Sequence, residues 1–149
     1  NDAWKEFEAL TDRRPANWDT DQDGMPDWWE KLAGTNPSAA DNNELTDGEY
    51  TQLERYLNWL AEPHFVTSAG NKLTIDLKQY FAGYNQQPVF TLESSIQPQE
   101  GKMKLNKKGI LTISLNKKAA DCLIDIKVKA TDKDQVASLQ RTFHIAITQ

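Results

Sequence analysis

The run from residue 19 to residue 30 restricts this chain more than any other stretch. It gathers five carboxylates that repel one another unless something positive sits between them. Asp19, Asp21 and Asp23 stand at alternate positions, Gly24 follows where the chain must turn sharply, and Asp27 and Glu30 complete the spacing. Residues at positions 1, 3, 5, 7, 9 and 12 of such a twelve-residue loop point inward together. A hard cation that takes about six to eight oxygens suits that arrangement. Asp19, Asp21 and Asp23 would offer side-chain oxygens and Met25 its backbone carbonyl. Asp27 would hold a water, and Glu30 would close the site with both oxygens. The cofactor expected from the residues alone is calcium, Ca2+.

The sequence around this loop reads as helical. Asp27 with Glu30 three residues later has the spacing of a capping box, Gly34 is a stop signal, and Asn36 with Pro37 marks a turn. A second capping spacing at Thr46 and Glu49 predicts a longer helix through Tyr50, Leu53, Leu57 and Leu60. Their offsets trace one apolar stripe, expected to pack on Trp28, Trp29 or Leu32. Between the two helices a weaker acidic segment offers a possible second calcium site. In one register Asp41, Asn43, the Leu45 carbonyl and Glu49 form a shortened cage. In another, Asp47 and Gly48 take positions 5 and 6 with Glu54 at position 12, which puts Leu45 where an oxygen is needed.

Charge and composition divide the chain. Residues 1–62 hold 15 acidic against 5 basic side chains, a balance of −10, and residues 63–149 hold 7 against 12, a balance of +5, giving the net −5. All five tryptophans (Trp4, Trp18, Trp28, Trp29 and Trp59) lie in the first part. The expected domains are therefore a helical calcium-binding module over 1–62 and a second domain over 63–149. In the second part apolar and polar residues alternate over 73–77, 89–92, 110–115, 123–128 and 143–147, with shorter candidates at 65–67 and 103–105. Turn signals at Gly70-Asn71, Lys108-Gly109 and Asp132–Asp134 separate them. About seven strands in so short a stretch predict a β-sandwich, and the whole chain reads as α+β.

The residues carry two resemblances. The loop at 19–30, Gly34-Thr35-Asn36-Pro37, Asp47-Gly48 and the stretch 50–60 are similar to the thrombospondin type 3-like, dockerin-like calcium segment. That segment follows the catalytic domain of secreted bacterial pectate-lyase-type polysaccharide lyases. Trp4 to Phe7 resembles the linker leading out of that domain. The second loop departs from the family pattern through Glu44-Leu45-Thr46 and the additional Glu49. The stretches 75–81, 109–113, 128–134 and 142–147 resemble an immunoglobulin-like domain of the bacterial cadherin-like, dystroglycan-type group. In that group paired aspartates such as Asp132 and Asp134 hold calcium between repeats, whereas the residues themselves read first as a hairpin turn.

These resemblances imply a C-terminal, EF-hand-like and Ig-like accessory fragment of a secreted enzyme. Its location would be extracellular, periplasmic or at the cell surface, with the catalytic domain of the same polypeptide as a partner and polysaccharide as another. The absence of Met at residue 1 fits a processed or excised chain, and a monomer is expected. No catalytic residue is expected here. His64 and His144 lie far apart in sequence, no nucleophile motif accompanies them, and a closed calcium cage beside Arg13 and Arg14 leaves no place for substrate. Two other functions fit the sequence: a carbohydrate-binding module stacking sugars on tryptophans or on Tyr80 and Tyr84, and a dockerin-like adhesion module. The dispersed lysines of the second part argue against nucleic acid, and no apolar run is long enough to span a membrane. Cys122, flanked by Leu123 and Ile124, reads as a strand residue.

Overall fold

A computed structural model describes residues 14–82, 88–134 and 137–149. Trp4 to Phe7, Arg13 and Tyr84 lie outside the described residues. The chain is a mixed α+β protein that divides into two compact units, the first ending at Leu53 and the second running from Glu54 to Gln149. The division falls inside a helix, ahead of the change in composition at residue 62.

In the first unit the acidic loop leads into helix α1, Asp27–Ala33. Its N-cap residue is Pro26, extended and without a side-chain cap, so Asp27 begins the helix instead of capping it. Gly34 ends the helix in the left-handed region at φ 84°, and the amides of Gly34 and Thr35 both donate to the Glu30 carbonyl. The second helix, α2, covers Gln52–Ala61, later than the Thr46–Glu49 spacing predicts. Residues 45–51 instead turn on themselves. The Thr46 hydroxyl donates to the Tyr50 carbonyl at 3.0 Å, and Leu45 bridges Thr51. The first α2 amides find backbone acceptors, Gln52 on Glu44 and Leu53 on Asn42.

The apolar stripe expected on α2 is not its buried face. Tyr56 and Trp59 are buried, while Leu57 and Leu60 are exposed and Tyr50 precedes the helix in solvent. The aromatic pair has more area to remove from water than the leucines do. Tyr56 and Trp59 stack at 6.5 Å, and the Trp59 ring lies 4.3 Å from that of His64.

The second unit contains seven strands among its described residues: β1 His64–Ser68, β2 Lys72–Asp76, β3 Val89–Leu92, β4 Gly101–Leu105, β5 Ile110–Leu115, β6 Cys122–Thr131 and β7 Ser138–Thr148. They form a four-stranded sheet in the order β1-β7-β6-β3 and a three-stranded sheet in the order β2-β5-β4. All neighbours are antiparallel except β1 and β7, which run parallel.

Alternation explains which residues meet. Ile75, Leu111, Ile113 and Leu115 from one sheet share a single buried cluster with Ile124, Ile126, Val128, Phe143, Ile145 and Ile147 from the other. Two sheets over one core is the sandwich that the alternating pattern predicts. Asp132 to Asp134 lie in the connection between β6 and β7, where the Asp132 amide donates to the Ala137 carbonyl.

Candidate metal centre

The acidic loop is folded by its own carboxylates. Gly24 adopts φ 97°, a conformation that side chains disfavour, and Gln22 beside it is also left-handed at φ 63°. This double turn points consecutive amides inward. Asp23 and Gly24 donate to the two Asp19 oxygens at 3.2 and 3.1 Å, Asp23 also reaches Asp21 at 3.3 Å, and Met25 donates to Asp23 at 2.9 Å. An Asx-type network of this kind holds carboxylates side by side despite their repulsion.

Two overlapping groups of carboxylates result. In Asp19, Asp21 and Asp23 the ligating oxygens all lie within 4.8 Å of one another, and the same is true of Asp23, Glu30 and Asp41. Asp23 belongs to both. Glu30 is wholly buried and Asp23 is 7% exposed. Asp21 Oδ2, Asp23 Oδ2, Glu30 Oε2 and Asp41 Oδ1 are buried oxygens without a hydrogen-bond partner. Buried anionic oxygens left without donors are costly, and a cation is the group that satisfies several at once. The donors are all hard oxygens, a set that suits calcium or magnesium and not a thiophilic metal.

The electrostatics agree with the geometry. Burial pushes the Glu30 carboxyl up to about 7, reinforced by the charges of Asp21, Asp23 and Asp41 and opposed by a hydrogen bond from the Thr35 hydroxyl. Asp21 is also raised, first by burial. Asp27 goes the other way, because Thr20 donates its hydroxyl to one oxygen at 2.7 Å and its amide to the other at 2.8 Å. Asp27 thus ties the loop entry to the helix start and belongs to neither carboxylate group. Met25, within the loop, is fully buried.

The four residues of the possible second site differ in burial. Asp41 joins Glu30 and Asp23, held by the Asn36 amide at 3.0 Å, while Asn43, Leu45 and Glu49 are exposed. Glu49 is in neither carboxylate group, and in the alternative register Asp47, Gly48 and Glu54 are exposed. Asp41 is therefore the member of the first centre that a twelve-residue reading does not supply. Its signal in sequence is the turn at Gly34, Asn36 and Pro37, which reverses the chain toward the loop.

Elsewhere the side chains singled out in the sequence take structural positions. His64 and His144 are register partners across β1 and β7, and His144 Nδ1 lies 2.6 Å from Asp125 Oδ1. Cys122 begins β6 half-buried, its thiol pushed up by burial and by Glu100 and Asp121. Trp29 and Trp59 are buried, and Tyr80 is half-buried with its ring edge-on to Phe143 at 5.2 Å.

No family model matches the chain, and no curated protein matches it. Among solved structures it is similar to an internalin-like protein of Listeria monocytogenes, at 12% identity and a TM-score of 0.32 over 58% of this chain and 28% of that one. A nucleoside hydrolase-related hypothetical protein from Saccharophagus degradans, associated with carbohydrate metabolism, is similar at 12% identity and a TM-score of 0.32, over 58% of this chain and 22% of that one. This chain therefore spans less than a third of either protein. No helix among the described residues is long and apolar enough to cross a membrane.

Proposed function

We propose that this chain is a non-catalytic accessory segment of a secreted polysaccharide-degrading enzyme, in which bound calcium holds an EF-hand-like module ahead of an Ig-like sandwich. One observation carries the calcium part: the wholly buried Glu30, whose free oxygen shares a space with Asp23 and Asp41. Asp19, Asp21, Asp23, Glu30 and Asp41 would hold the ion, with the Met25 carbonyl and a water on Asp27 as further donors. Calcium supplies the positive charge that turns mutual repulsion into folding energy. At a free concentration of about a hundred times Kd it would add about 2.7 kcal/mol. Support for the parent enzyme comes from the resemblance of residues 4–62 to the calcium segment that follows the catalytic domain of pectate-lyase-type enzymes, and support for the Ig-like sandwich from the resemblance of residues 64–149 to a cadherin-like, dystroglycan-type domain.

Calcium titration of tryptophan fluorescence and of melting temperature tests the reading, with Glu30→Gln as the control and magnesium as the competitor. The expected result is a rise in melting temperature for wild type that is lost in the variant. A wild-type chain that responds to neither ion sinks the calcium assignment. Cleavage of polygalacturonate by the purified chain would overturn the non-catalytic part.

A further inference from the structure

The outer face of the three-stranded sheet has a charge pattern that neither folding nor the calcium centre uses. Leu73, Ile75, Met103, Leu105, Leu111, Ile113 and Leu115 turn toward the core, so the alternate residues of β2, β5 and β4 face away. Register places Lys72, Ser114 and Lys102 side by side in one row, and Thr74, Thr112 and Lys104 in the next. The three lysines are exposed and form no ion pair among the described residues. The carboxylates at the two ends of the face are engaged by backbone: Asp76 accepts from the Lys78 amide, and Glu100 accepts from the Gln97 amide. Lys107 and Lys108 continue the positive charge in the β4–β5 turn, and Lys117 and Lys118 continue it after β5.

We infer that this face binds a linear acidic polysaccharide, a chain carrying one carboxylate per sugar. Adjacent strands lie about 4.8 Å apart, so Lys72 and Lys102 stand about 9.6 Å apart with the Ser114 hydroxyl between them. Lys102 and Lys104 are separated by about 6.8 Å along β4. Ammonium groups spaced by hydroxyls complement a ligand in which carboxylates are spaced by hydroxyls. A nucleic acid fits less well, since neither row carries an aromatic side chain for base stacking. The inference rests on the polysaccharide side of the function proposed above and not on calcium.

The test is retardation of the full chain in native gels containing polygalacturonate, compared with its fully methyl-esterified form and with oligo-dT, in EDTA and in calcium. Wild type is expected to be retarded by polygalacturonate alone, and less so as salt rises. The triple substitution Lys72→Gln, Lys102→Gln, Lys104→Gln is expected to weaken binding at least tenfold, while Lys127→Gln with Lys133→Gln leaves it within twofold. Amide exchange on wild type, expected to slow in β2, β4 and β5 when polygalacturonate is added, locates the face without relying on a variant. No retardation of wild type, equal retardation by the ester, equal loss in both sets of variants, or protection on the other sheet each overturns the assignment. Tighter binding to oligo-dT gives the face to nucleic acid and overturns it too. Melting curves on the same samples report the calcium response separately, so either reading can fail alone.

Discussion

Asp41 lies eleven residues beyond Glu30 in sequence, yet their carboxylate oxygens come within 4.8 Å of each other, in a group completed by Asp23. Neither residue gains from this closeness unless a cation stands between them. The Asn36 amide fixes Asp41 from one side, and burial fixes Glu30 from the other. A loop that binds within twelve residues would have no use for Asp41, so its position separates two kinds of centre.

Asp41→Asn is therefore expected to weaken calcium binding by about tenfold or more, the order of loss that follows removal of groups organised around a metal. Glu49→Gln is expected to leave affinity unchanged, because Glu49 is exposed and outside both carboxylate groups. Isothermal titration of the two variants decides the matter. Equal effects would mean that Asp41 acts as a surface charge.

The raised Glu30 carboxyl fixes the sign of a pH dependence in the metal-free chain. Its ordinary value is 4.5, and in the fold it titrates at about 7. Between those values the native state holds a proton that the unfolded state has released, so stability falls as pH rises through this window. Urea unfolding in EDTA is expected to show the first unit losing stability between pH 5 and 7, with the decline absent in Glu30→Gln. Calcium should reverse the trend, since the ion displaces the proton and binds more tightly as pH rises.

Much of the architecture was legible because half-buried strands alternate. All seven strand segments form, and Val89–Leu92 and Ile110–Leu115 have the expected bounds. The ends of β6 and β7 were not legible, because each strand supplies the other's hydrogen bonds well past the apolar stretch, as far as the Thr131–Ser138 pair. The buried face of α2 was not legible for a different reason. Leucine offsets mark a stripe, but the buried side chains are Tyr56 and Trp59, whose larger area decides which way the helix turns. In the acidic loop, local spacing brought Asp19, Asp21 and Asp23 together. It could not bring in Asp41, whose place depends on where α1 stops and the chain reverses.

Asp125 supplies a second pH test, in the other unit and of opposite sign. Its carboxyl is held below the usual aspartate range by the hydrogen bond to His144, aided by the charges of His144, Arg55 and Lys127 and opposed by burial. A depressed carboxyl contributes stability above its unfolded value of 3.8, and that contribution is lost as pH falls through the lower folded value. Asp125→Asn is expected to be less stable than wild type at pH 6 by about 0.5–1 kcal/mol, a small figure because the side chain is partly exposed and screened. The two stability curves should converge as pH falls below the folded value. Curves that stay parallel to pH 2 would show that the contact contributes no charge-dependent stability.

Gly109 tests how tightly the two sheets approach. It turns the β4–β5 hairpin at φ 83°, and a Cβ there would lie 2.8 Å from Phe90 Cε2 on the opposite sheet. Phe90 has little freedom to retreat, since its ring packs on Phe81 at 5.4 Å. Gly70 has nearly the same backbone, φ 81°, but its Cβ would meet the flexible Lys117 side chain at 3.3 Å. Both alanine variants incur the left-handed backbone cost of about 1 kcal/mol. Only Gly109→Ala adds an overpacking term, about 1–3 kcal/mol. Urea unfolding of the second unit should therefore rank Gly109→Ala below Gly70→Ala by roughly that overpacking term, with the slope against urea unchanged. Equal losses would mean that Phe90 can move aside and that the hairpin does not clamp the core.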